Sequence, residues 1–195
     1  MRSLNILPAL AAALLAAACG TRRDEARPIV SAPSPTASDA AYSVYDLGSR
    51  WRDQTGNEVT LASLRGTPRV VAMIYTHCSA TCPMIVDAMK RLEARAPGDA
   101  GFVLVSLDPD RDSADRLAAY AREHGLSARW TLLTGTDDAV RDLAAALGTK
   151  YRRLSATELA HTNTITVLDA SGSVVAQQPS WDADGSLAAL RSLTH

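Results

Sequence analysis

The reading of this chain turns on the stretch Val70-Val71-Ala72-Met73-Ile74-Tyr75-Thr76-His77-Cys78-Ser79-Ala80-Thr81-Cys82-Pro83. Its first six residues are a short apolar run with β-branched members, which reads as a buried strand. Beyond it Ile85, Met89, Leu92 and Ala96 recur at helical spacing, and Pro83 suits a first helical turn, so a helix is expected over 83–96. Cys78 and Cys82 therefore fall where a strand feeds a helix N-terminus. Unpaired N–H groups and the helix dipole there favour thiolate over thiol. A spacing of four places both sulfurs on one face of a first turn, close enough to form a disulfide or to converge on one soft metal ion.

Ahead of this stretch, Val44–Leu47 and Val59–Leu61 read as short strands around the turn Gln54-Thr55-Gly56-Asn57, an N-terminal hairpin. Further upstream the pattern changes. Arg2 and the apolar run from Ile6 to Ala18 read as a signal peptide over 1–18, too short to span a bilayer as a stable helix. Cys19 follows Ala16-Ala17-Ala18 as in a lipobox, with Leu15 four residues before the cysteine where the usual leucine lies three before it. An unpaired thiol is a liability in an exported protein, so Cys19 is expected to be lipidated. Residues 19–41, with Pro28, Pro33 and Pro35 and no apolar periodicity, read as a disordered tether. The folded domain is expected over 42–195.

Downstream, Phe102–Leu107 reads as a second buried strand that stops at Asp108-Pro109. Ser113 caps a helix ended by Gly125, and Thr136 or Asp137 begins another ended by Gly148. Arg152 to Ala160 reads as irregular, strand 162–168 follows, and Ser173–Gln177 pairs back on it across Asp169-Ala170-Ser171-Gly172. Leu187, Leu190 and Leu193 mark a final amphipathic helix. The order strand, helix, strand, helix, helix, hairpin, helix is α/β with a central mixed sheet flanked by helices. With thiols at the first strand–helix junction it fits a thioredoxin-like fold. A 47% hydrophobic composition with a single Phe implies an aliphatic core, and a net charge of −1 gives no basic face for nucleic acid.

Two thiolates hold a linear Cu(I), and a transfer site often adds a third donor. Of the four histidines, His195 ends the chain, His124 sits at a helix end, and His77 on a strand end points away from its neighbour's sulfur. His161 opens the strand 162–168. In a thioredoxin-like sheet the loop before that strand faces the thiol-bearing helix, which places His161 toward both sulfurs.

At this point the chain resembles the Sco/SenC family of thioredoxin-like copper proteins involved in cytochrome c oxidase assembly. The resemblance rests on Thr76–Pro83, on Ser106-Leu107-Asp108-Pro109-Asp110-Arg111-Asp112, on Trp130–Gly135 and on Ala160-His161-Thr162, in the family's order from about Tyr42 to Gly185. It implies copper ligands at Cys78, Cys82 and His161 and a redox-active Cys78–Cys82 pair, with Cu(I) or Cu(II) as the bound metal. It also implies a copper chaperone, not an enzyme, that serves a copper-receiving oxidase subunit or other copper protein. The expected location is the periplasmic side of a bacterial inner membrane, held by a lipid on Cys19. Ala160 departs from the family, which has an acidic residue there; Glu158 lies nearby.

Donor chemistry agrees, since thiolates select Cu(I) and imidazole suits both copper states. Asp108, Asp110 and Asp112 read as turn-fixing residues before a steering surface, and Trp130 as packing. The competing function is a periplasmic thiol–disulfide oxidoreductase using the same cysteines on the cysteines of copper-site proteins. Dedicated oxidoreductases usually have two residues between the cysteines, where this chain has three.

Overall fold

A computed structural model describes residues 42–193 of the chain. The expected signal peptide, Cys19, the tether and His195 lie outside the described residues. Within them the element order is β1 (Arg50–Asp53), β2 (Glu58–Thr60), β3 (Arg69–Ile74), α1 (Thr81–Glu93), β4 (Gly101–Ser106), α2 (Ala114–Glu123), β5 (Trp130–Gly135), α3 (Asp137–Ala146), β6 (Tyr151–Arg153), β7 (Leu159–His161), β8 (Thr164–Leu168), β9 (Val174–Pro179) and α4 (Ala183–Arg191). Seven strands form one mixed sheet in the order β2-β1-β5-β4-β3-β8-β9, and β6 with β7 forms a separate two-stranded sheet. Strands β3, β4 and β5 run parallel at its centre, while β1 and β8 join them antiparallel.

The apolar run of the opening stretch becomes β3, whose last five residues are all buried. Every residue of β4 is buried too. A strand with no polar face must be covered on both sides. On one side Val71, Val103 and Val105 meet Leu143 and Leu147 at α3 and Leu61 and Leu64 of a short 3-10 turn. Helix α1 buries Ile85, Val86, Met89 and Leu92, one apolar stripe at helical spacing. Phe102 stacks on Trp130 with ring centroids 5.1 Å apart, and the Trp130 indole N–H donates to Glu93 Oε2 at 2.7 Å, so Trp130 is packing. Ser113 and Thr136 cap α2 and α3 through their hydroxyls. Gly148, with φ of 61°, ends α3: the next residue's N–H reaches back to Ala144 O, and a side chain at that φ would be strained.

Several boundaries differ from the sequence reading. Val44–Asp46 is a 3-10 turn, fixed by the Ser43 hydroxyl accepting from Tyr45 N–H, and the hairpin's first strand is β1. Its second strand ends at Thr60, where Leu61 starts another 3-10 turn that buries Leu61 and Leu64. Trp130–Gly135 is a strand between α2 and α3, so the two helices are not consecutive elements. Thr131 and Thr134 interrupt the apolar residues of that strand, so it shows neither a continuous apolar run nor strict alternation. Helix α1 starts two residues earlier than expected and ends three earlier; Cys82 is inside it and Cys78 precedes it. Arg152–Ala160 is not irregular: β6 and β7 pair there, with Tyr151 opposite His161 and Arg153 opposite Leu159. His161 therefore closes β7, and the following strand of the main sheet starts at Thr164. The last strand is likewise shifted, to Val174–Pro179. No helix among the described residues is long and apolar enough to cross a membrane.

Candidate metal centre

The chain leaves β3 at Ile74, and Cys78 N–H closes a turn on Tyr75 O at 3.2 Å. Ala80, which precedes the first residue of α1, has no side chain to cap it. Sulfur takes that role: Cys82 N–H, an orphan of the first turn, donates to Cys78 Sγ at 3.4 Å, and Thr81 Oγ1 lies 3.7 Å from the same sulfur. The two cysteines are thus joined by the geometry of helix initiation. No disulfide joins them; Cys82 is buried and Cys78 half-buried.

From the other side comes His161. Its Nδ1 lies 3.1 Å from Thr162 O, a pure acceptor, so Nδ1 carries the proton. Nε2 is then a lone-pair donor, and it lies 3.4 Å from Cys82 Sγ. The ring stands edge-on to Tyr75, with centroids 6.0 Å apart. Donor atoms of Cys78, Cys82 and His161 all fall within 4.8 Å of one another, and no fourth His, Cys, Asp or Glu joins them among the described residues. A metal–thiolate bond is about 2.3 Å, so one ion spans donors at this separation with little movement. His77 turns away, as expected: its Nδ1 lies 3.2 Å from Thr76 Oγ1 and 3.6 Å from Asp112 Oδ1.

The electrostatics divide the pair of thiols. Burial alone raises the Cys78 thiol, but N–H donors from Cys82 and Ala80, the Cys82 thiol and the Thr81 hydroxyl outweigh it and bring it down to about 7. Burial pushes Cys82 far above the ordinary cysteine value, and the neighbouring Cys78 and Asp112 charges push the same way. Burial also lowers His161, against the pull of the Thr162 carbonyl, so the imidazole is neutral at pH 7 and available as a ligand. Cys78 is the accessible sulfur. It opens on a hollow of about 370 Å³ lined by Tyr75, His77, Ser79, Arg111 and Glu158 among others.

The three acidic residues of the loop after β4 have distinct places. Asp112 is fully buried and accepts from Thr76 N–H at 3.0 Å, Thr76 Oγ1 at 2.5 Å and Ser106 Oγ at 2.6 Å, which braces the cysteine loop. Asp108, also fully buried, pairs with Arg111 and with Arg153. Asp110 is exposed. The structural reading of Asp108 and Asp112 stands, although their reach extends well past local turns. Sequence reasoning did not single out Tyr75 or Arg153. Tyr75 read as the end of a buried strand, and Arg153 lay in a segment that showed no pattern.

Two chemistries fit the arrangement. Soft donors around one point can hold a soft metal ion, and an accessible low thiol backed by a buried one can exchange a disulfide.

Known proteins similar to this chain fall in one family. The SCO1/SenC family model matches residues 43–193. A SCO1 protein homolog of Bacillus subtilis is 32% identical over 90 residues, 44% of this chain and 46% of that relative. The chain spans about half the length of the curated relatives it matches. Among solved structures, a SCO1/SenC family lipoprotein from Bacillus anthracis superposes with a TM-score of 0.69 at 21% identity, over 75% of this chain and 92% of that one. Arabidopsis thaliana ScoI, solved with copper bound, gives 0.63 at 20% identity, over 73% and 96%. At that identity the two structures speak for the fold, a thioredoxin-like one.

Proposed function

The chain belongs to the SCO1/SenC family, and from that premise we propose that it is a copper chaperone holding Cu(I) or Cu(II) through Cys78, Cys82 and His161 and helping to assemble the copper centre of cytochrome c oxidase. The observation that carries this reading is the convergence of two cysteine sulfurs and one neutral imidazole Nε2 on one point. Binding copper displaces the thiol protons; Cys82 gives its proton up because the metal replaces it at the buried sulfur. The two sulfurs suffice for Cu(I), and the imidazole adds the donor that Cu(II) wants. The hollow beside Cys78 leaves that sulfur open to a thiolate of the receiving protein, which takes the ion from the exposed side first. Equilibrium dialysis of the reduced protein against Cu(I) tests the reading: one copper per chain is expected, and less than a tenth of that would reject it.

A second reading has its own observation, the split between an accessible low thiol and a buried high one. In it, Cys78 thiolate attacks a partner's disulfide and one partner thiolate leaves. Cys82 then loses its proton and attacks Cys78 Sγ, which releases the second partner thiol. The protein ends as a Cys78–Cys82 disulfide, two electrons poorer, with the partner reduced. Reduction of a disulfide-bonded copper-site peptide by the metal-free protein, one disulfide per chain, supports it; no turnover excludes it. Both readings predict that the oxidised protein takes up little copper, since the disulfide removes two donors.

The placement of the chain belongs to the same proposal and is supported by Arg2, the apolar run from Ile6 to Ala18 and the Ala16-Ala17-Ala18-Cys19 junction. Residues 1–18 are the export signal, Cys19 the lipidated residue, 19–41 the tether and 42–195 the copper-binding domain, on the periplasmic side of a bacterial inner membrane. Lipid attachment contributes roughly 0.8 kcal/mol per buried CH₂, so acylation of Cys19 by more than one chain holds the domain at the membrane. Cys19→Ser should release it to the soluble fraction with copper binding intact. A lipid-free mass for the mature wild-type protein counts against it.

A further inference from the structure

The β6–β7 hairpin takes no part in the seven-stranded sheet, so no backbone ladder sets the distance between His161 and the thiols. The chain ties β7 to β8 through Thr162 and Asn163, which anchors the open end of the hairpin. Its far side is held by side chains at three points. Tyr75 Oη accepts from Leu159 N–H at 3.4 Å and donates to Leu159 O at 3.2 Å. Arg111 Nη2 donates to Thr157 O at 3.1 Å. Arg153 Nη2 donates to Asp108 Oδ1 at 3.0 Å.

Two of these three points converge on one carboxylate. Asp108 is 0% exposed, and while Oδ1 takes Arg153, Oδ2 takes Arg111. A buried carboxylate is costly unless both oxygens are satisfied by charged donors, and here each is. The hydrogen bonds of the two guanidinium groups go to Asp108 and to Thr157 O, not to a candidate ligand. The pair instead joins the loop after β4 to the strand whose partner ends in His161, with Tyr151 opposite His161 and Arg153 two residues along. The same loop braces the cysteines through Asp112, so one short segment holds both halves of the site in register.

We infer that Asp108 and Arg153 are positioning residues for His161: their ion pair, anchored on the buried Asp108 carboxylate, clamps the hairpin and sets the imidazole against the two sulfurs. The inference rests on the copper reading for its consequence, though not for the clamp itself. Loosening the clamp tilts the third donor away and leaves the thiol pair in place. Cu(II), which needs the imidazole, loses affinity, and Cu(I), held by two thiolates, keeps it. The clamp therefore sets the balance between copper oxidation states from a distance.

Arg153→Gln in the full chain is the test, because Arg153 is 44% exposed and Asp108 keeps Arg111 as a partner. In the metal-free protein, amide hydrogen exchange should quicken across 151–161 and hold in β3 and β4. In the copper-loaded protein, Cu(II) affinity should fall about tenfold, the scale for a group that orients a ligand. Cu(I) affinity should hold. Arg153→Lys should restore most of the Cu(II) affinity, and Arg153→Gln should add nothing in a His161→Ala background. Unchanged exchange in the hairpin, or a Cu(II) loss undiminished in the His161→Ala background, overturns the inference. If the wild type binds no copper, the chaperone reading fails, and hydrogen exchange alone still decides the clamp.

Discussion

The two halves of the candidate site are built by different means. Cys78 and Cys82 stand at the end of the central strand β3, and the backbone N–H of Cys82 joins them. Their geometry follows from helix initiation on a buried strand, a rigid arrangement with few alternatives. His161 stands on a two-stranded hairpin outside the main sheet, brought in by Tyr75, Arg111 and the Asp108–Arg153 pair. A donor fixed by the core is hard to move, and a donor fixed by side-chain staples is adjustable. The thiol half should thus decide whether copper is held at all, and the imidazole half which oxidation state is held.

Removing a thiol should have the largest effect. Cys82→Ser replaces a soft donor by a hard, poorly ionised one and should abolish stable binding of both Cu(I) and Cu(II). Cys78→Ser should do the same, measured by copper retained through gel filtration. Retention of a full equivalent by either variant would show that the thiols are not the common requirement.

His161→Ala should separate the oxidation states. Cu(II) affinity should fall by more than the roughly 10–100-fold typical of altering a residue that only orients a ligand. Cu(I) should still bind at one per chain. An unchanged thiolate-to-Cu(II) absorption band in that variant would remove the distinction between the halves.

The smallest expected effect is within the thiol half itself, in the reduced metal-free protein. Alkylation of Cys78 should follow a midpoint near the value of about 7 that its donors impose, while Cys82 stays unreactive well above it. The sign for stability follows. A folded thiol that ionises at about 7 lies below the unfolded value of roughly 8.5, so the unfolded chain binds the extra proton between them. The stabilisation is complete above the unfolded value and is lost as pH falls through about 7. Equal alkylation profiles for the two cysteines would contradict the assignment of Cys78 as the accessible sulfur.

The legibility of the sequence follows the same division. The strand, the helix and the two thiols are local: an apolar β-branched run, an apolar stripe at helical spacing and Cys78 and Cys82 four apart can be read within one window. The caps at Ser113 and Thr136 and the stop at Gly148 are likewise local, and each lies where its residue type implies. Strand β5 was hidden because Thr131 and Thr134 interrupt Trp130–Gly135, which leaves neither a continuous apolar run nor strict alternation. The β6–β7 pairing was hidden for a related reason, since Arg152, Arg153 and Ala160 are largely exposed and carry no apolar pattern. His161 was reachable by asking which loop faces the thiols. The ion pair of Asp108 with Arg153 was not, because the two residues are separated by 45 positions and meet only through the fold.

X-ray absorption of the copper-loaded protein, compared between wild type and His161→Ala, reads the metal's donor atoms themselves. Two sulfur donors are expected in both proteins and both oxidation states, with one imidazole nitrogen in wild-type Cu(II) that is missing from the variant. A wild-type Cu(II) shell of nitrogen and oxygen alone, or an imidazole contribution that survives the His161→Ala change, would contradict it.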